Sequence, residues 1–195
     1  MIVDITQAAG AVPISLRDWN VDVAVCSGYK WLGGHGGIAF ASFCDKILTK
    51  VPASVGWFGA ENPFAMDATR LLLSQTAAKY TQSTMSYISV VGLNAAIEQL
   101  LNIGIANIEA HSKRLASILA RGLKKSSWRT FNEMTENEAS SHIIAIESDE
   151  FDTHKMYAKL IKSQIICGVR NNRIRISIAH YNNEEDIRSL LYNLG

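Results

Sequence analysis

Three short, nearly unbroken apolar runs crowd the start of this chain: Met1–Ile5, Val21–Cys26 and Gly37–Phe43. Runs of this length without polar alternation suit strands covered on both faces, so they predict a parallel or mixed sheet within an α/β fold. The first begins at residue 2 with no helix, cap or turn ahead of it. A parallel strand needs neighbours on both sides, and this opening therefore predicts that the chain is a fragment of a larger fold.

The segment from 46 to 85 is mixed, with Pro52, Pro63 and the aromatic Gly56-Trp57-Phe58-Gly59. It predicts loop with short helix, and a loop of that length in a compact domain usually serves function. From Ser86 to Gly104 the chain is apolar on almost every side, which predicts a buried helix. Ile105 to Lys125 places Ile108, Leu115, Ile118 and Leu119 on one stripe and Glu109, Lys113 and Arg114 on the other, an amphipathic helix. Strands are expected at Trp128–Phe131 and His142–Glu147, with a polar turn rich in Glu and Asn between them. Asp152 caps a helix to Ser163 with Met156, Leu160 and Ile161 inward. Ile165–Val169 and Ile174–Ile178 read as strands joined by Arg170-Asn171-Asn172-Arg173. Asn183 followed by three acids starts a closing helix with Ile187, Leu190, Leu191 and Leu194 on one face. This alternation from about residue 106 predicts a separate α+β lobe.

Composition narrows the function classes. A formal net charge of +1 over 195 residues gives no electrostatic case for nucleic acid or an anionic membrane. No apolar run is long enough to span a bilayer, and Met1-Ile2-Val3-Asp4 lacks the basic start of a signal peptide. Cys26, Cys44 and Cys167 are scattered and odd in number, which suits free thiols in a reducing compartment and predicts a cytoplasmic protein.

The chemistry concentrates between Asp4 and Gly37. Asp4 falls at the C-terminal end of the first strand and Ser27 and Lys30 follow the second, where open α/β sheets bind ligands. A carboxylate and a lysine converging on one crevice suit a pyridine aldehyde: the acid keeps the ring nitrogen protonated and the amine condenses with the aldehyde. Spacing alone favours the plainer reading, a structural Asp4–Lys30 ion pair or a solvated lysine.

The whole string, Asp4-x-x-Gln7-x-x-Gly10, then Val21-Asp22, then Ser27-x-x-Lys30 with Leu32-Gly33-Gly34, resembles the cofactor-lysine region of class V aminotransferases. The resemblance implies an aspartate-aminotransferase-like fold (fold type I). Residues 1–105 would be the C-terminal part of the cofactor-binding large domain, and 106–195 the small α+β domain. It implies pyridoxal 5'-phosphate as cofactor, an amino acid as substrate and a homodimer with sites at the interface. Asp4 would pair with the pyridinium nitrogen and Gln7 with the phenolic oxygen. Ser27 would bind the phosphate, and Lys30 would form the Schiff base and shuttle the α-proton. Ser83-Thr84 matches the family's Gly-Thr, so Thr84 would reach the cofactor phosphate of the partner subunit. The ending Arg173-Ile174-Arg175-Ile176-Ser177…Tyr181-Asn182 assigns the substrate carboxylate to Arg175, with Arg173 as the alternative on the same strand face.

Tyr29 stands where the family usually has histidine; kynureninases carry an aromatic residue there, and Gly56-Trp57-Phe58-Gly59 is also kynureninase-like. The tyrosine hydroxyl would bind the phosphate, or its ring simply packs. Cysteine desulfurases use a loop cysteine, but Cys167 lies in a segment that reads as strand, which argues against that chemistry. His35 is a lone histidine among glycines and predicts no metal site; His180 either lines the site or packs. The expectation is a pyridoxal-phosphate enzyme whose reaction (transamination, elimination or epimerisation) the motif leaves open. The alternatives are a truncated non-catalytic remnant that needs an N-terminal half, or a kynureninase-like hydrolase or lyase.

Overall fold

The computed structural model describes residues 1–67, 69–132 and 140–195, in two compact units, Met1–Asn102 and Ile103–Gly195. The Glu- and Asn-rich turn expected before His142 falls largely outside the described residues.

In the first unit, β1 (Ile2–Asp4) pairs in parallel with β2 (Val23–Ser27), and β2 pairs antiparallel with β3 (Ala39–Phe43), giving a mixed sheet ordered β1-β2-β3. Successive side chains alternate between faces. Ala24 and Cys26 are buried, while Val25 on the opposite face is exposed and Ile2 is 75% exposed. The expectation of strands covered on both faces is therefore not met within this unit: one face of the sheet has its cover and much of the other is open. Phe43 stacks on Tyr80 at 4.2 Å, so the long loop returns to β3. There the Lys79 ammonium is buried and donates to the carbonyls of Leu48 and Lys50, and Tyr80 Oη donates to Ile47 O (2.9 Å). Both close the C-terminal end of the short helix α1 (Asp45–Leu48), where carbonyls lack helical partners.

The helix expected at 86–104 forms as α2 (Tyr87–Ile103), but only Ser89, Leu93 and Leu100 are buried. Ile88, Val91 and Leu101 are exposed, contrary to the expectation of burial all round. The buried stripe meets glycines: a Cβ on Gly28 or Gly34 would lie 3.1 or 2.8 Å from Leu93 Cδ1. Those glycines let α2 approach the turn after β2.

The second unit is an antiparallel sheet ordered β4-β5-β7-β6: β4 (Arg129–Thr130), β5 (Ile143–Glu147), β6 (Gly168–Arg170) and β7 (Arg173–Ser177). It packs with α3 (Ile105–Leu123), α4 (Thr153–Lys162) and α5 (Glu184–Leu194). Ile144, Ile146, Ile174 and Ile176 point from the strands into one core with Leu115, Leu119, Leu160 and Leu190. Burying side chains of this size stabilises by about 1.5–3 kcal/mol each before entropy is counted. Asp152 accepts from Lys155 N (2.8 Å) as the expected cap of α4, and Asn183 closes a capping box with Asp186 on α5. Two expectations shift. Ile161 is 41% exposed and faces outward, and the strand placed at Ile165–Val169 begins only at Gly168. The cause is local: Gln164 adopts left-handed φ +61°, and Ile165 N donates to Leu160 O (2.9 Å), closing α4 in a Schellman turn before the chain extends.

Candidate active site

Because β1 and β2 run parallel, their C-terminal ends emerge side by side and set Asp4 and Ser27 on the same face. Thr6 joins them. Its backbone N–H donates to Asp4 Oδ1 (2.8 Å), its side chain also bonds Asp4, and its Oγ1 accepts from Ser27 N (2.9 Å). These bonds hold the Asp4 carboxyl below the ordinary carboxylate range, so it stays ionised at neutral pH. An exposed carboxylate fixed in this way presents permanent negative charge at the strand ends.

The turn after β2 carries Tyr29 and Lys30, both exposed. Gly28 N donates to Ile38 O and Gly34 N returns to Gly28 O, each at 2.9 Å, while Gly33 N donates to Lys30 O. Gly33 takes φ +71°, which favours glycine. Lys30 Nζ lies 5.0 Å from the Tyr29 ring centroid, a cation–π contact. No ion pair joins Asp4 to Lys30 among the described residues; of the two plainer readings of this lysine, the ion pair is absent and the solvated one matches its exposure. Trp31 Nε1 donates to Gln7 Oε1 (3.1 Å), tying the loop after β1 to the lysine turn. Gly10, at φ +90°, passes so close that a Cβ would sit 2.6 Å from Trp31 O. Hydrogen bonds thus tie Asp4 to Ser27 through Thr6, and Gln7 to the Trp31 that follows Lys30, while Tyr29 and Lys30 meet each other. Thr84 lies on the exposed segment ahead of α2, and no hydrogen bond links it to Asp4, Ser27 or Lys30 among the described residues. Thr6 and Trp31 escaped the sequence reading; a threonine two residues after an acid is the signature of a local turn, and that was the available signal.

The two arginines of β7 lie on the sheet face away from the isoleucine core and differ in what they meet. Arg173 Nε donates to Glu147 Oε2 (2.7 Å), and its guanidinium stacks 3.4 Å from the Phe131 ring centroid. Arg129 donates to Glu147 and to Asp149. Arg175 is half-buried and has Ala145 and Gly168 as its cross-strand neighbours.

The cysteines and lone histidines meet neighbours of their own. Burial pushes the Cys26 thiol up, with the Asp4 charge adding to it. Cys167, expected within a strand, lies instead on the irregular segment just before β6, which begins only at Gly168; burial alone raises its thiol, and it packs against the second unit's core. Raised thiols are poor nucleophiles. His35 lies against Gly92, where a Cβ would meet its Cδ2 at 2.4 Å. Within the described residues no three His, Cys, Asp or Glu side chains cluster to hold a metal. His180 meets Tyr181 edge-on at 5.3 Å, and Asn182 ties the start of α5 by accepting from Ala179 N and donating to Asp186. No single helix among the described residues is long and apolar enough to cross a membrane.

Comparison with known proteins identifies the family and the fold. The family model described as aminotransferase class-V matches residues 1–190. The chain is 27% identical to the uncharacterized aminotransferase YcbU of Bacillus subtilis (strain 168), over 96% of this chain and 49% of that protein. It is 32% identical to the kynureninase of Debaryomyces hansenii, over 73% of this chain and 33% of that protein. Among solved structures, the apo cysteine desulfurase of Thermococcus onnurineus NA1 superposes with a TM-score of 0.86 at 18% identity, covering 98% of this chain and 50% of that one. The alanine–glyoxylate aminotransferase of a Nostoc species gives 0.74 at 17% identity, covering 99% and 52%. The fold is therefore fold type I, and the chain spans about half the length of the YcbU relative and of these structures.

Proposed function

The chain belongs to the class V aminotransferase family, and we propose that it carries the lysine side of a pyridoxal 5'-phosphate site acting on an amino acid. The observation that carries this reading is the bonded set Asp4–Thr6–Ser27 at two parallel strand ends beside an exposed lysine. The residues fit the cofactor. Asp4 is held ionised, as a partner for a pyridinium N–H must be. Ser27 offers a hydroxyl to a phosphate on the same face, and Lys30 is accessible on a turn tied by the backbone hydrogen bonds of Gly28, Gly33 and Gly34. Gln7, steadied by Trp31, would meet the ring's phenolic oxygen.

When bound, the cofactor supplies an electron sink for charge developing at the substrate α-carbon. Asp4 then keeps the sink effective by holding a proton at the ring nitrogen. Lys30 holds the cofactor and moves the α-proton, Arg175 grips the substrate carboxylate through a bidentate fork, and Tyr29 offers a hydroxyl toward the phosphate. Thr84 is assigned to the phosphate bound by a partner subunit, which makes the working form a homodimer.

Borohydride trapping tests the reading. With pyridoxal phosphate added, reduction and peptide mapping should place the cofactor mass on the peptide containing Lys30, and Lys30→Ala should abolish the visible absorbance band. Labelling spread evenly over surface lysines, with Lys30→Ala unchanged, would sink it. A second reading, kynureninase-like hydrolysis, is favoured by Tyr29 and by the kynureninase relative. Turnover of kynurenine in place of transamination would select it.

A further inference from the structure

Side chains on the outer face of the second unit's sheet form two adjacent rows across the strands. One row runs Phe131, Ala145, Arg175 and Gly168: Phe131 N donates to Ala145 O (2.8 Å), and Arg175 pairs with both Ala145 and Gly168. The next row carries Arg129, Glu147, Arg173 and Arg170. Arg173 and Arg175 are two residues apart on β7, about 7 Å along the strand. That spacing would let a second substrate carboxylate reach Arg173 while the first sits on Arg175.

The charge at Arg173 is already answered. Its Nε is bonded to Glu147 at 2.7 Å and its plane is covered by Phe131, and the Arg173 guanidinium in turn holds the Glu147 carboxyl below its ordinary range. Arg129 is shared between Glu147 and Asp149. Arg170, at the exposed end of the hairpin, folds back so that Nη1 donates to Val169 O (2.8 Å). Beside Arg175 stand Ala145, with a single methyl, and Gly168, with no side chain, and among the described residues nothing lies within 4 Å of a Cβ built on Gly168.

We propose that Glu147 and Phe131 are specificity-determining residues, which sequester Arg173 so that the site accepts amino acids with neutral side chains and disfavours dicarboxylic ones. The inference rests on the assignment of Arg175 to the α-carboxylate. Glu147 acts by occupying a cation that would otherwise recruit a second carboxylate, and Phe131 presents a flat apolar wall to an apolar or aromatic side chain.

The test compares L-norvaline with L-glutamate, probes of equal chain length that differ by the second carboxylate. Binding to the full chain is measured by calorimetry, and the arginine Nε–Hε resonances are followed by NMR without cofactor. The wild-type chain should favour norvaline. Glu147→Gln, nearly isosteric, should shift the affinity ratio toward glutamate by roughly tenfold, the scale of one charge-assisted hydrogen bond, with the Arg173 Nε resonance responding to glutamate. Glu147→Gln/Arg173→Gln should return the ratio to the wild-type side, and Arg173→Gln alone should push it further toward norvaline. A ratio unmoved in Glu147→Gln, a wild-type preference for glutamate, or no binding of either probe would overturn the proposal. Arg175→Lys separates the two claims: norvaline binding that survives it removes the underlying carboxylate assignment, whereas loss of norvaline binding with an unmoved Glu147→Gln ratio removes the specificity proposal alone.

Discussion

Thr6 shows how a side chain that touches no ligand can set the charge of one that would. With its hydroxyl and N–H on Asp4, it holds that carboxyl below the ordinary value of 3.8. In Thr6→Val the hydroxyl bond is lost, and carbonyl-carbon NMR titration should find the Asp4 midpoint moved up toward 3.8; an unmoved midpoint would leave the backbone bond as the sole cause. Glu147 gives a pH dependence with a definite sign. Its folded pKa is depressed, first by the Arg173 bond and further by Arg129, against desolvation. Its contribution is present above the ordinary value of 4.5 and is lost as pH falls through the lower folded value. The melting temperature of Glu147→Gln should accordingly fall less than that of the wild type on acidification below about pH 4.5; parallel curves would refute the linkage. The places of Asp4, Ser27, Tyr29 and Lys30 were legible in the sequence because each sits at a fixed offset from a strand end; the roles proposed for them came from the family resemblance. Thr6 and Trp31 were not, since their roles arise only when the two loops meet, and Gly10, visible in the motif, shows its reason only there, in its close approach to Trp31. The same holds for Arg173: strand alternation placed it beside Arg175, but only cross-strand pairing reveals that Glu147 and Phe131 occupy it.

Helix ends carried their own instructions. Asp152 and Asn183 cap α4 and α5 as local chemistry requires, and Asn183→Ala should lower stability by about 1 kcal/mol in denaturant melts. The hairpin from β6 to β7 was equally readable. Asn171 and Asn172 both take left-handed φ (49° and 58°) between the paired Arg170 and Arg173, the two-residue loop whose twist matches the strands. The start of β6 was not readable, because Gln164 gives no sequence warning of its left-handed φ; glycine is the residue that usually announces such a stop. That discrepancy yields a test. Gln164→Gly keeps both Schellman bonds and removes the Cβ penalty, so it should raise the unfolding free energy by roughly 0.5–1 kcal/mol. Destabilisation would mean that the glutamine side chain contributes something its backbone geometry does not reveal.

Burial is distributed unevenly along the chain, and apolar content did not foretell where. The strands at the start are as apolar as any, yet Ile2 is 75% exposed and β3 is exposed over most of its length, while α2 buries one stripe only. Periodicity reports which side chains could be covered; the covering elements decide which are. In the second unit the cover is complete: Ile146, Ile174, Leu115, Leu119 and Leu160 are all at 0% exposure. Opening β5 or β7 must therefore expose the whole isoleucine layer, whereas fraying β1 or β3 exposes little that is not already wet. Native-state hydrogen exchange on this chain should find the slowest amides in β5, β7 and the Leu115–Leu119 turn of α3, with β1 and β3 exchanging through openings several kcal/mol cheaper. Leu119→Ala, which leaves a cavity at a fully buried position, should cost about 2–5 kcal/mol and lower protection across β5 and β7 together. Uniform protection in the two sheets, or a Leu119→Ala effect confined to its own helical turn, would contradict a cooperative core gathered in residues 103–195.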